Sequence, residues 1–189
     1  AIELNQQGCL PIIYIALGTY CYFINEDYEA GYELGQKLAE GKYTTITGGG
    51  PGTMEAVNKG AFEAGGESVG INMRYGFKER VNAYVKKSIG FQFPFTRKLI
   101  ITTPSKAFVF FPGGFGTLHQ LFEVLTLIQT KKMDKIPIIL YNHEYWEPLH
   151  KFIKETMVGK LKTVSNIDDE LYQIVDDVDS IMKIIDRHA

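Results

Sequence analysis

The chain has 189 residues, 45% of them apolar and 22% charged, with a net charge of -2. This length suits one domain, 1–189, with a full hydrophobic core, and the composition excludes a disordered chain. No block of five or six like charges occurs, so neither nucleic acid nor a membrane surface is an expected partner. No apolar run approaches the roughly 18 residues of a membrane helix. Cys9 and Cys21 are too few for a disulfide framework. No basic segment leads into a signal-like core, which makes the cytoplasm the expected compartment.

The run Ile12-Ile13-Tyr14-Ile15-Ala16 reads as a first buried strand that breaks at Gly18. Residues 27–40 carry helical patterning. Gly31 and Gly35 lie four apart on one face of it, which suggests close approach to the sheet, and Gly41 stops the helix. A second strand over 43–47 ends in Gly48-Gly49-Gly50-Pro51-Gly52-Thr53-Met54. Met54, Val57 and Ala61 then mark the buried side of the next helix, and 68–71 is a third strand. Residues 72–95 are irregular and positively charged, readable as a lid over a site or as a solvated excursion.

A helix over 95–103 precedes the apolar run Ala107-Phe108-Val109-Phe110-Phe111, which ends in Pro112-Gly113-Gly114-Phe115-Gly116-Thr117. The following helix, with Leu118, Leu121, Phe122, Val124, Leu125, Leu127 and Ile128, is apolar on more than one side. It therefore packs on its own sheet and on a second surface, for which a partner subunit is one candidate. A strand over 136–141, a helix around 145–157 and an amphipathic helix over 176–187 complete the chain. Alternating strands and helices give an α/β fold, a mainly parallel sheet with helices on both faces. Ligands in such sheets bind beyond the carboxyl ends of the strands, where both glycine clusters lie.

Strand, glycine loop, helix is the order that points bare backbone N–H groups and a positive helix end at phosphate. Two such loops make a phosphorylated small molecule the leading ligand. A dinucleotide oxidoreductase is disfavoured, because Ala16-Leu17-Gly18-Thr19 is not a G-x-G-x-x-G turn. The histidines have no metal-ligand spacing.

The segment Pro112 to Thr117, with a carboxylate position three residues beyond it, resembles the signature of the Lonely Guy (LOG) family, long labelled "possible lysine decarboxylases". The resemblance extends over nearly the whole chain. Gly18-Thr19 matches the family's first phosphate-side turn, Gly48 to Met54 its second motif, and Arg97-Lys98 its arginine–lysine pair. It implies a Rossmann-like fold, a homodimer or larger homo-oligomer, and cleavage of the N-glycosidic bond of a nucleoside 5′-monophosphate such as AMP or a cytokinin ribotide. Neither metal nor organic cofactor is implied. The decarboxylase label finds no recognisable pyridoxal motif.

On this reading Gly113, Gly114, Gly116 and Thr117 hold the phosphate, and Gly49, Gly50, Gly52, Thr53 and Met54 form a second wall. Arg97 neutralises phosphate or steadies the departing base, with Lys98 beside it on a different helix face. The position that the resemblance assigns to a catalytic glutamate holds Gln120. An amide can bond a ribose hydroxyl but cannot act as a base. Glu123, one turn on, is the nearest substitute, and His119 is a second. Hence two readings stand: a weakened hydrolase, or a non-catalytic nucleotide-binding protein. A carrier for a molybdopterin-like cofactor ranks last. Tyr20, Cys21, Tyr22 and Phe23 could flank a base or simply pack.

Overall fold

The structure, a computed structural model, describes residues 11–16, 25–74, 81–165 and 171–188. Seven strands form one sheet in the order β4-β3-β2-β1-β5-β6-β7. They are β1 (Ile12–Ala16), β2 (Thr44–Thr47), β3 (Glu67–Met73), β4 (Lys87–Phe91), β5 (Ser105–Phe110), β6 (Ile138–Tyr141) and β7 (Gln173–Val175). Every neighbouring pair is parallel. The order reverses between β1 and β5, which defines the crevice where α/β sheets bind ligands. The Rossmann-like α/β arrangement read from the sequence is the one observed.

Six α-helices cover the sheet: α1 (Asn25–Glu40), α2 (Thr53–Glu63), α3 (Pro94–Thr102), α4 (Phe115–Gln129), α5 (His143–Lys151) and α6 (Val178–Asp186). Side-chain alternation along the strands divides the core in two. Tyr14, Ile46, Ile71, Phe108 and Leu140 face α3, α4 and α5 through Ile101, Leu121, Val124 and Trp146. Ile13, Ile15, Val109 and Ile139 face α1, α2 and α6 through Leu34, Leu38, Val57 and Ile181. Among the described residues, no helix is long and apolar enough to cross a membrane.

The structure corrects four sequence expectations. The 72–95 region is not wholly irregular, because β3 runs on to Met73 and β4 occupies Lys87–Phe91. β7 is a further short edge strand. The helix expected over 145–157 is α5 followed by a wider, π-wound stretch, Phe152–Lys160. Finally, the glycines of α1 approach α2 rather than the sheet. A Cβ at Gly35 would overlap the Val57 carbonyl oxygen and come within 2.8 Å of the Ala61 amide nitrogen. Reciprocally, a Cβ at Gly60 would overlap the Tyr32 carbonyl oxygen. These two backbones touch, and that contact fixes where α2 begins.

Gly35→Ala gains about 1 kcal/mol of helix propensity but drives a methyl group into rigid backbone. The clash is expected to win, with a net loss of about 1–3 kcal/mol. Thermal unfolding would register this as a fall of about 2–4 °C per kcal/mol for a chain of this size.

Candidate functional site

The first glycine loop leaves β2 at Thr47 and turns into α2 through Gly49 (φ 72°) and Gly52 (φ 78°), left-handed conformations that glycine adopts without strain. A buried polar network holds it. The Thr47 hydroxyl accepts from the Gly49 amide (2.9 Å) and donates to Asn58 Oδ1 (2.6 Å). Asn58 Nδ2 donates to Ser68 Oγ (2.8 Å). Asn82 Nδ2 donates to Asn58 Oδ1 (2.9 Å) and to the Gly50 carbonyl (3.0 Å), while the Asn82 amide donates to the Gly49 carbonyl (2.8 Å). The Gly49 amide is thus committed internally. Thr53 and Met54 are buried in the first turn of α2.

The second loop leaves β5 and enters α4 at Gly114. Tyr145 donates its hydroxyl to the Gly113 carbonyl and so ties the loop to α5. The Thr117 and Leu118 amides donate to the Gly114 carbonyl (3.0 and 3.1 Å). Thr117 therefore offers a ligand its hydroxyl rather than its amide, and the Phe115 and Gly116 amides are the ones helix geometry leaves without an acceptor. Neither α2 nor α4 has a side-chain N-cap. Gly114 and Gly116 lie at negative φ, and a Cβ on either would meet no described atom within 4 Å.

Arg97 lies against the first loop. Its Nε donates to the Ile71 carbonyl (2.7 Å), and its Nη2 would stand 2.9 Å from a Cβ on Gly48. Glycine at 48 is what lets the guanidinium lie against the loop. Met54 Sδ closes the same spot, at 2.8 Å from that Cβ position. Gln120 is buried against β1, where its Oε1 accepts from the Tyr14 hydroxyl (3.1 Å). Its Nε2 has no partner among the described residues. Burial pushes the Tyr14 phenol up; the Arg97 charge and donation to Gln120 oppose this without cancelling it. Tyr14 is therefore a hydrogen-bond donor at neutral pH.

Lys98 points the other way from Arg97, toward α4. Its Nζ pairs with Glu123 Oε2 (3.0 Å) and lies 2.8 and 3.0 Å from the two ring nitrogens of His119. The structure thus brings Arg97, Gln120 and the first glycine loop together, and gathers Lys98, His119 and Glu123 into a separate cluster between α3 and α4. Gly18, Thr19, Tyr20, Cys21, Tyr22, Phe23 and Cys9 lie outside the described residues. Trp146 is fully buried and donates Nε1 to the Tyr141 carbonyl (2.9 Å), a packing role.

Tyr14, Asn58, Asn72 and Asn82 were not singled out from the sequence. The signal for Asn58 is a polar residue on the buried stripe of α2, four after Met54; for Asn72 it is a polar residue inside the run Val69-Gly70-Ile71-Asn72-Met73.

The chain is a Rossmann-like α/β protein with two glycine-opened helix N-termini at the carboxyl ends of its strands, the end at which such sheets bind ligands. The chain belongs to the LOG family: the family model described as "Possible lysine decarboxylase" matches residues 54–185. A cytokinin riboside 5′-monophosphate phosphoribohydrolase of Arabidopsis thaliana is 33% identical over 132 residues, 68% of this chain and 58% of that protein. An uncharacterized protein of Archaeoglobus fulgidus is 30% identical over 137 residues, 72% of this chain and 89% of that one. The match spans less than two thirds of the length of the plant relative. Among solved structures, the molybdenum cofactor binding protein of Rippkaea orientalis superposes with a TM-score of 0.73 at 23% identity, covering 96% of this chain and 98% of that one. The molybdenum cofactor carrier protein of Chlamydomonas reinhardtii gives 0.70 at 21%, covering 94% and 97%. These two likenesses are of fold.

Beside the crevice, Asp27 in the first turn of α1 is 1% exposed, with Oδ2 unpartnered among the described residues. Burial raises its pKa, the side-chain hydrogen bond with Asn142 opposes this, and Glu26 adds to it. A carboxyl group raised in the folded state supports folding below its unfolded pKa and loses that contribution as pH rises through the folded value. Asp27→Asn should therefore gain thermal stability relative to the parent as pH rises from about 4 to about 7. Melting curves at the two pH values check this. A gap that stays constant or narrows contradicts it.

Proposed function

We propose that the crevice binds a nucleoside 5′-monophosphate, AMP or a cytokinin ribotide, and hydrolyses its N-glycosidic bond to free base and ribose 5-phosphate at a rate held down by Gln120. The observation that carries this reading is glycine at 114 and 116. A tight turn does not require them, because neither has positive φ, and no described atom crowds either position. Glycine inside a helix costs about 1 kcal/mol relative to alanine. Gly114 is the N-cap, where glycine is an ordinary choice, so the cost falls on Gly116, and clearance for a phosphate seated on the N-terminus of α4 accounts for it.

In this site the Phe115 and Gly116 amides and the Thr117 hydroxyl take the phosphate, and Arg97 supplies the fixed positive charge. Gln120 Nε2 donates to a ribose hydroxyl while Tyr14 holds its Oε1. Cleavage passes through an oxocarbenium-like state that water must intercept. A carboxylate at 120 would draw a proton from that water; the amide leaves the step to orientation and electrostatics alone. General-base assistance is worth about 10²–10⁴ in rate, so turnover suffers more than binding.

A second reading, nucleotide binding without catalysis, is favoured by one contact. Glu123, the nearest substitute base, is paired at 3.0 Å with Lys98 of α3. Incubation with AMP and a cytokinin ribotide, followed by chromatography for free base, separates the two readings. Release of base supports hydrolysis, binding without release supports the module, and no binding of any 5′-mononucleotide overturns both.

Phe95 and Leu99 on α3 and Phe122 on α4 are exposed apolar groups flanking Lys98. They support the proposal that the protein self-associates there, as a cytoplasmic homodimer or larger homo-oligomer.

Gln120→Glu is expected to raise turnover by about 10²–10⁴. The substitution breaks no contact of Nε2 with any described residue, and Tyr14 donates equally well to a carboxylate. Gly116→Ala should stabilise the fold by about 0.5–1 kcal/mol while lowering 5′-nucleotide affinity by about one to two orders of magnitude. Unfolding and titration calorimetry on the same sample test the opposed signs.

A further inference from the structure

Asn72 stands at the carboxyl end of β3 and is 3% exposed, yet neither Oδ1 nor Nδ2 has a hydrogen-bond partner among the described residues. Buried amides are almost always paired, and one orphaned at both atoms calls for a specific explanation. The residue is not remote from the crevice. It lies on the same strand face as Gly70, whose Cα would sit 3.3 Å from a Cβ on Gly49. The Asn72 Cβ would be 3.9 Å from that same point. The carbonyl immediately before it, that of Ile71, holds Arg97 Nε at 2.7 Å. Asn72 therefore lies beside the first glycine loop and next in the strand to the residue that holds the site arginine.

Its distance from the other loop decides what it can touch. β5, β1, β2 and β3 are consecutive in the sheet. At about 4.8 Å per strand, β3 lies roughly 14 Å from β5. A phosphate seated on α4, which follows β5, is out of reach of Asn72, so the group it meets is the opposite end of the ligand. A carboxamide offers one donor and one acceptor side by side. The N6–H and N7 of a 6-aminopurine present a donor and an acceptor that match the amide oxygen and nitrogen in turn, whereas a 6-oxopurine presents two acceptors there.

Resting on the mononucleotide reading above, we propose that Asn72 is the specificity residue of this site: its amide pairs with the N6–H/N7 edge of a 6-aminopurine and selects that base over a 6-oxopurine. An N6-substituted adenine keeps one N6–H and N7 and satisfies the same pair.

The test measures Kd for AMP, GMP and ribose 5-phosphate with the parent protein, Asn72→Leu and Asn72→Asp, substituting kcat/KM wherever AMP is turned over. The parent is expected to prefer AMP to GMP. Asn72→Leu should weaken AMP by about 10- to 100-fold, leave ribose 5-phosphate unchanged and abolish the preference. Its melting temperature should not fall, because the substitution removes two unpaired buried groups. If Asn72→Leu does not fold, Asn72→Asp carries the test: with acceptors only, it must lose AMP affinity while keeping ribose 5-phosphate. AMP affinity unchanged in the variants, or lost in step with ribose 5-phosphate, overturns the assignment and leaves the mononucleotide reading standing. A parent protein that binds none of the three ligands overturns both.

Discussion

Two helices that begin without side-chain caps govern the rest of this molecule. The first amides of an α-helix have no intrahelical acceptor, and proteins normally satisfy them with a serine, threonine, aspartate or asparagine. α6 follows that rule, with Asp177 accepting from the Ser180 amide at 2.7 Å. So does α5, with Asn142 accepting from Tyr145. α2 and α4 start on Gly52 and Gly114 instead, at the carboxyl ends of β2 and β5, on either side of β1 in the sheet. α3 also lacks a side-chain cap, but it opens on Pro94, which has no amide hydrogen to satisfy, so α2 and α4 differ from it in starting on glycine. The glycine contact between α1 and α2 and the Thr47–Asn58–Ser68–Asn82 network serve this arrangement, since both determine how α2 leaves the sheet.

Gln120 changes the charge of the crevice as well as its chemistry. Among the described residues Arg97 makes no ion pair, and its recorded hydrogen bond runs to a neutral carbonyl. The Arg97 charge acts on the Tyr14 phenol that donates to Gln120. As an amide, Gln120 supplies no negative charge, and on the proposed reading it would leave Arg97 to an anionic ligand while withholding a base. On that reading, one residue would push binding and turnover in opposite directions.

Much of this was legible in the sequence, for physical reasons that also mark where legibility stops. Strands buried on both faces, such as Phe108 to Phe111, show as continuous apolar runs, and glycine loops that follow them announce the crevice. β4 was hidden because it is an edge strand with Lys87, Ser88 and Ile89 exposed, so no burial imposed a pattern on it. β7, at three residues and also on an edge, was too short to carry a period. The α1 glycines were visible as a close-approach signal, but spacing alone does not say which neighbour approaches. Helix spacing likewise allowed Glu123 a place beside Gln120, whereas its actual partner, Lys98, comes from another helix, and pairings between helices are not encoded in the period of either one.

Asn72 and Gln120 illustrate why a site can be incomplete in the free protein without being defective. Each is a neutral amide with hydrogen-bonding capacity that the described fold leaves unmet, at a cost of about 1–3 kcal/mol per orphaned group. Water or apolar packing would remove that cost if folding were the only demand. A ligand that supplies the missing partners recovers it on binding, while one that lacks them leaves the groups unpaired, and this asymmetry gives buried polar groups their selectivity. The two amides lie on opposite faces of the sheet, Gln120 against Tyr14 beneath α4 and Asn72 on the α2 side. A ligand that satisfies both must bridge the two glycine loops, which is why the proposed ligand carries a phosphate at one end and a donor–acceptor edge at the other.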